Sequence, residues 1–308
     1  MAPSGIHHIT AVAGDAQRNY RFYAQLLGLR LVKKTVNFDD PTVYHLYYGD
    51  ESGQPGTILT FFPWEELQSG QPDRGQAVAV SFLVPTESKA FWTDYLRKHN
   101  INFGSTFERF GKEIIGLQDP DGLHLELVFD PKADTLDGWS GGPVPAEHAI
   151  RGIHGVTLAE KSYQQTGRLL EEDLGFTLTN QLDSRYLYEA EGDFGAVVEI
   201  IDQFEPNGRS GRGTVHHVAF RAEDENHQQS IRRRLAEKGY YLTEVKDRGY
   251  FKSVYFHEPG GVLFEIATDP PGFTKDEALD ALGTELKLPG WLEEQRHRIE
   301  AELKELTS

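Results

Sequence analysis

Gly5-Ile6-His7-His8-Ile9-Thr10 is echoed at Gly152-Ile153-His154-Gly155-Val156-Thr157 and again at Val215-His216-His217-Val218-Ala219. Internal repetition is weighed before local propensity, because a repeat dictates the architecture. Behind each echo runs a helix-like stretch, then strand-like stretches ending in an apolar run. In the first copy Asp15 is a candidate N-cap, and Tyr20, Tyr23, Leu26 and Leu27 recur at helical spacing. Gly28 stands where a left-handed C-cap closes a helix, as Gly175 does after Leu169, Leu170 and Leu174. Strand-like patches follow at Tyr44–Tyr48 and Arg185–Tyr188, and closing strands at Thr57–Phe61 and Ala196–Ile200.

A fainter copy begins with the strand Ala77–Val84 and a helix over Glu87–His99. The turn Asp119-Pro120-Asp121-Gly122 then leads into the strand Leu123–Val128. The last copy ends in the same way, with the turn Glu258–Gly261 and the strand Val262–Ile266. The pattern predicts an α+β fold of four βαβββ modules starting near residues 5, 77, 152 and 214. In chain order, residues 1–130 carry the first pair of modules and 150–270 the second. Residues 131–149, rich in Pro and Gly, form the linker between them. Residues 271–308 are expected to be a helical tail, with Leu292, Ile299, Leu303 and Leu306 as an apolar stripe. That stripe could pack on the body of the chain or on a second copy in a homodimer.

Composition narrows the class. The 308 residues suit two domains at about 150 residues each. Hydrophobic residues make up 38%, enough for a large core, so global disorder is excluded. No apolar run approaches the roughly 18 residues of a membrane span, and MAPSGIHHIT lacks the layout of a secretory signal. With no cysteine, disulfides, thiolate zinc sites and cysteine nucleophiles are ruled out. A formal charge of −17 opposes binding to nucleic acid. The expectation is a cytoplasmic protein with no membrane and no nucleic-acid partner. Gly138–Gly142 fits no phosphate loop, and Arg232-Arg233-Arg234 reads as a solvated helix face.

Aligning the modules on their first strands places His8, Ala79, Gly155 and His217 at one equivalent position. Aligning the last strands places Thr60, Glu126, Glu199 and Glu265 at another. If modules one and four pair, one concavity holds His8, Thr60, His217 and Glu265, and the other holds Ala79, Glu126, Gly155 and Glu199. If three pairs with four, the set becomes Glu199, His217 and Glu265. The first pairing is preferred because it collects both double-histidine strands at one centre. Two histidines and a carboxylate form the face that binds non-haem Fe(II) and leaves positions open. The other concavity has no histidine and is expected to be empty.

These residues resemble the vicinal oxygen chelate superfamily of glyoxalases, extradiol dioxygenases and resistance proteins, over about residues 5–270. His7-His8-Ile9-Thr10, Gly213–His217 and Gly261–Glu265 look most like the ring-cleaving hydroquinone dioxygenase branch. The resemblance implies two vicinal-oxygen-chelate domains and Fe2+ held by His8, His217 and Glu265; Mn2+ accepts the same ligands. It further implies roles for His7, Thr10, His216, Arg248 and Tyr255 around the metal, acting on a small aromatic diol, of hydroquinone or catechol type, with O2. In this reading His7, His216 or Tyr255 handles protons and Arg248 offsets anionic charge.

Strand alternation qualifies that set. Neighbours point to opposite faces, so His7 and His216 should face away from the metal unless their strands are kinked, whereas Thr10 shares the face of His8. Tyr255, across a turn from Glu265, is expected on the adjacent strand. Phe38, Tyr44 and Phe251 are candidate walls of a flat pocket. A glyoxalase-like isomerase or lyase is the alternative reading, but Thr60 stands where such chemistry wants a second carboxylate. A non-catalytic resistance or binding protein of the same fold is the third, and such proteins are typically about half this length.

Overall fold

The computed structural model describes residues 5–203 and 207–307. Each module is a strand, a helix and three strands. Module one comprises β1 (Ile6–Ala13), α1 (Ala16–Tyr20), β2 (Arg30–Asn37), β3 (Asp40–Gly49) and β4 (Ile58–Pro63). Module two has β5 (Gln76–Val84), α2 (Lys89–Lys98), β6 (Phe107–Arg109), β7 (Lys112–Gln118) and β8 (His124–Phe129). In module three these are β9 (Gly152–Glu160), α3 (Tyr163–Asp173), β10 (Thr177–Leu182), β11 (Arg185–Glu189) and β12 (Val197–Asp202). Module four runs through β13 (Thr214–Ala222), α4 (Glu225–Glu237), β14 (Lys246–Asp247), β15 (Lys252–His257) and β16 (Leu263–Thr268).

The strands make two curled eight-stranded sheets. Their orders are β14-β15-β16-β13-β1-β4-β3-β2 and β10-β11-β12-β9-β5-β8-β7-β6. Module one therefore joins module four, through antiparallel β1 and β13, and module two joins module three through β5 and β9. The halves 1–130 and 150–270 do not each close a sheet of their own: either sheet takes one module from each half. One apolar cluster lies behind both sheets and includes Ile9, Val218 and Phe220 of the first and Val80, Phe82 and Val156 of the second. Phe22, Trp92, Leu170 and Ile231, carried by the segments that follow the first strands, seal it. Asp15 accepts from the Arg18 amide, and Gly28 and Gly175 have φ of +78° and +76°, as their capping positions demand.

The linker is pinned: Arg151 donates from Nη1 to the carbonyls of Ala146 and Ala149 at 2.6 and 3.1 Å. The tail departs from the expected long helix. Only α5 (Arg296–Glu302) is α-helical, preceded by short 3-10 turns at Phe273–Lys275, Leu279–Ala281 and Glu293–Gln295. Gly283, at φ +75°, explains part of this, because it passes so near the Leu31 carbonyl that a Cβ there would lie 2.0 Å from its oxygen. Leu288, Leu292 and Ile299 are buried against Val36, so the stripe is covered by the chain's own β2. Arg232 and Arg234 of α4 are ion-paired with Glu244 and Asp173. No helix among the described residues is long and apolar enough to cross a membrane.

Candidate metal centre

Two β-bulges place the paired histidines. The β1–β13 register slips between Ile6 and His8 and again between Thr10 and Ala11, opposite His217 and Val215. Each slip inserts an extra residue, so both histidines of a pair leave the core face. The kink that alternation required is therefore present, and it does not turn His7 and His216 away. Nδ1 of His7 lies 2.9 Å from Nδ1 of His8, and Nδ1 of His216 lies 2.8 Å from Nδ1 of His217. With the proton on Nδ1 of His8 and His217, each inner ring donates to its neighbour and keeps a bare Nε2 lone pair.

Both Nε2 atoms converge on Glu265 of β16. Oε2 of Glu265 is 3.0 Å from Nε2 of His217 and 3.5 Å from Nε2 of His8. All three side chains are buried, and their ligand atoms lie within 4.8 Å of one another. Oε1 accepts from Ser253 at 2.5 Å, yet Oε2 is buried without a hydrogen bond of acceptable geometry. Burial alone would raise the carboxyl pKa, but the imidazoles beside it outweigh burial and hold Glu265 well below the usual range. Burial lowers His217. The arrangement is thus a carboxylate and two imidazoles aimed at one point, and no Lys or Arg among the described residues forms an ion pair with Glu265. Such a set is satisfied by a divalent cation, and its nitrogen and oxygen donors suit Fe(II) or Mn(II).

A cavity of about 470 Å³ opens on the centre and is lined by His8 and His217. Phe38, Phe62, Trp64 and Phe251 give it aromatic walls, and His45, His216, Arg248 and Tyr255 add polar groups. Tyr255 on β15 lies directly opposite Glu265, as its spacing suggested. Its hydroxyl accepts from Nε of Arg248 at 3.1 Å, and Arg248 is anchored through Nη1 to Asp39 at 3.0 Å. Burial, with Glu265 nearby, pushes the Tyr255 phenol up, so it stays protonated at neutral pH. Burial drives His216 down to about 3, which makes it a neutral ring.

Two residues singled out from sequence do not reach the cavity. His7 sits behind His8 against Phe251, ring centroids 5.2 Å apart. Thr10 is fully buried, with Oγ1 3.0 Å from Oγ1 of Thr60. Tyr44 is not a wall either; its hydroxyl donates to the Lys304 carbonyl in the tail. Sequence reasoning missed His45, whose Nε2 is 2.7 Å from Thr60 Oγ1 and whose Nδ1 is 2.8 Å from the Tyr47 hydroxyl. Burial holds His45 well below its ordinary value. It also missed Ser253, although Ser253 lies two residues from Tyr255 and so shares its face.

Fold and centre together define a class. The chain belongs to the Glyoxalase/Bleomycin resistance protein/Dioxygenase superfamily, which it matches over residues 5–127 and 152–266. Particular relatives are ring-cleaving enzymes by name. "Putative ring-cleaving dioxygenase MhqO" of Bacillus subtilis is 45% identical over 296 residues, covering 96% of this chain and 94% of that one. A chlorohydroquinone/hydroquinone 1,2-dioxygenase of Sphingobium indicum is 36% identical, covering 94% and 92%. The crystal structure of a "putative dioxygenase" from Bacillus subtilis superposes with a TM-score of 0.95 at 44% identity, over 99% of this chain and 98% of that one.

Proposed function

We propose that this protein is an Fe(II)-dependent dioxygenase that cleaves the ring of a hydroquinone-type diol. The observation that carries the reading is the buried triad of His8, His217 and Glu265, facing an aromatic-walled cavity of about 470 Å³. The names of the relatives support the reaction and the substrate class. Fe(II) held by the triad supplies the one-electron chemistry that lets a closed-shell diol react with O2, and Mn(II) fits the same ligands.

The protein's own groups do the rest. Phe251, 4.8 Å from the His8 ring between centroids, offers a flat ring surface beside the centre. The Arg248 guanidinium and the Tyr255 phenol hydrogen-bond an oxygen that becomes anionic. Nδ1 of His216 accepts from His217, so its Nε2–H is the donor it presents to the cavity. His45 is neutral and linked through Thr60 to Thr10 and separately to Tyr47. Both of its ring nitrogens are engaged in those contacts, so His45 serves as a fixed, neutral wall of the cavity. A glyoxalase-type isomerisation would want a second carboxylate at the centre, and Thr60 fills that place.

Oxygen uptake by anaerobically purified, Fe(II)-loaded protein tests the reading. Methylhydroquinone should drive uptake and yield a ring-opened product, with both lost in His217→Ala. Uptake with catechol alone would keep ring cleavage and change the substrate. Bound metal without uptake on either diol would overturn the proposal.

A further inference from the structure

The sheet of modules two and three repeats the register of the first. Ala79 and Ser81 stand on β5 as His8 and Thr10 stand on β1, opposite Thr157 and Gly155 as those face Ala219 and His217. On the last strands, Glu126 lies beside Ser81 and Glu199 beside Thr157, as Thr60 lies beside Thr10 and Glu265 beside Ala219. Ala79 and Gly155 replace the two inner histidines, His154 keeps the place of His216, and both last strands now bring a carboxylate. Glu126 and Glu199 are both buried.

Between them sits the guanidinium of Arg109, carried in from the edge strand β6. Nη1 donates to Glu126 Oε1 at 2.9 Å and Nη2 to Glu126 Oε2 at 2.6 Å, while Nε lies 2.9 Å from Glu199 Oε2. Ser81 donates to Glu126 Oε2 at 2.8 Å, and Arg185 holds the other oxygen of Glu199. Two carboxylates are thus matched by two guanidiniums, whereas Glu265 in the first sheet faces the imidazoles of His8 and His217. The space left beside Arg109 is about 150 Å³, against about 470 Å³ at the first centre.

We infer that Arg109 occupies the cation position of the second concavity and that its guanidinium is what keeps a metal ion from binding there. A planar fork suits this place, because it can bridge two carboxylates from different strands as a metal bridges its ligands. The concavity expected to be empty thus holds the Arg109 guanidinium, beside spaces of about 150 and 250 Å³. Removing the guanidinium would leave the oxygen donors of Glu126, Glu199 and Ser81, with His154 lining the same space, a set that suits a cation such as Mn2+.

Equilibrium dialysis against Mn2+ with metal analysis tests this on four proteins. Wild type should bind one equivalent and His8→Ala/His217→Ala none. Arg109→Ala should gain a second equivalent, which survives in Arg109→Ala combined with the two histidine changes. Mn2+ should also raise the melting temperature of Arg109→Ala carrying those histidine changes. Two equivalents in wild type, or no gain in a folded Arg109→Ala protein, would overturn the inference. If Arg109→Ala does not fold without metal, refolding it with and without Mn2+ decides: recovery only with the cation supports the inference, and no recovery with either sinks it. The reading of the first centre enters only as the comparison. Absence of metal from wild type would refute that reading, while the combined variant reports on the second concavity alone.

Discussion

Glu265 concentrates the chemistry of the centre in one side chain. Its Oε2 is buried, anionic and unpaired until a cation arrives. A buried polar group without a partner costs about 1–3 kcal/mol, and a charged one more. Glu265→Gln should therefore melt higher than wild type when both are stripped with chelator, since Gln keeps the contact from Ser253 without the charge. With Fe(II) or Mn(II) present the order should reverse, because only wild type gains stability from the metal. Thermal melts of both proteins with and without chelator measure this, and an unchanged order would mean that Glu265 is not a ligand. The histidines of the candidate centre were legible in the sequence because His-His recurs at one module position. His45 and Ser253 were not, since nothing repeats around them.

The bulges in β1 and β13 turn a strand with alternating faces into one that keeps two adjacent histidines together, one at the centre and one bonded to it. His7 then acts through His8, holding its tautomer across the 2.9 Å Nδ1 contact. Loss of such an outer partner typically lowers metal affinity 10–100-fold. His7→Ala should show a weakening in that range by competitive chelation, with its circular dichroism unchanged. Alternation alone pointed His7 and His216 away, because a bulge depends on pairing with the partner strand. The tail illustrates the opposite case. Its apolar positions were read correctly, but Gly283 and close passage along β2 keep most of it out of a helix. Ile299 is buried there, so Ile299→Ala should cost about 2–4 kcal/mol in urea unfolding while leaving metal content intact.

The two sheets meet at a shared proton as well as at the core. Glu160, at the end of β9, and Glu258, in the turn between β15 and β16, both reach the Thr166 hydroxyl, at 2.7 and 2.5 Å. One hydroxyl proton cannot serve two carboxylates, so one of the acids stays protonated. Burial, reinforced by Glu258, pushes Glu160 up to about 9. A carboxyl raised in the folded state contributes stability that is complete below its unfolded pKa near 4.5 and is lost as pH rises through about 9. Wild type should therefore lose melting temperature more steeply than Glu160→Gln between pH 7 and pH 10. The comparison removes the general effect of the formal charge of −17, which both proteins feel. Parallel curves would show that the pair ionises freely.

By itself, the sequence determined the number of modules, the type of most elements within them and the identity of the residues able to bind a metal. Those properties follow from periodicity, capping and repetition, all of which act over a few residues. Only the tertiary structure decided which modules share a sheet, because β1 can pair with β13 or with another first strand without any local change. That choice brings His8 to His217 across 208 intervening positions and leaves Glu126 facing Glu199. It also decided the fate of the two concavities. Arg109 gives no sign in its own neighbourhood of being a buried cation, and it becomes one only when the sheet carries it between two carboxylates that cannot remain charged and dry without it.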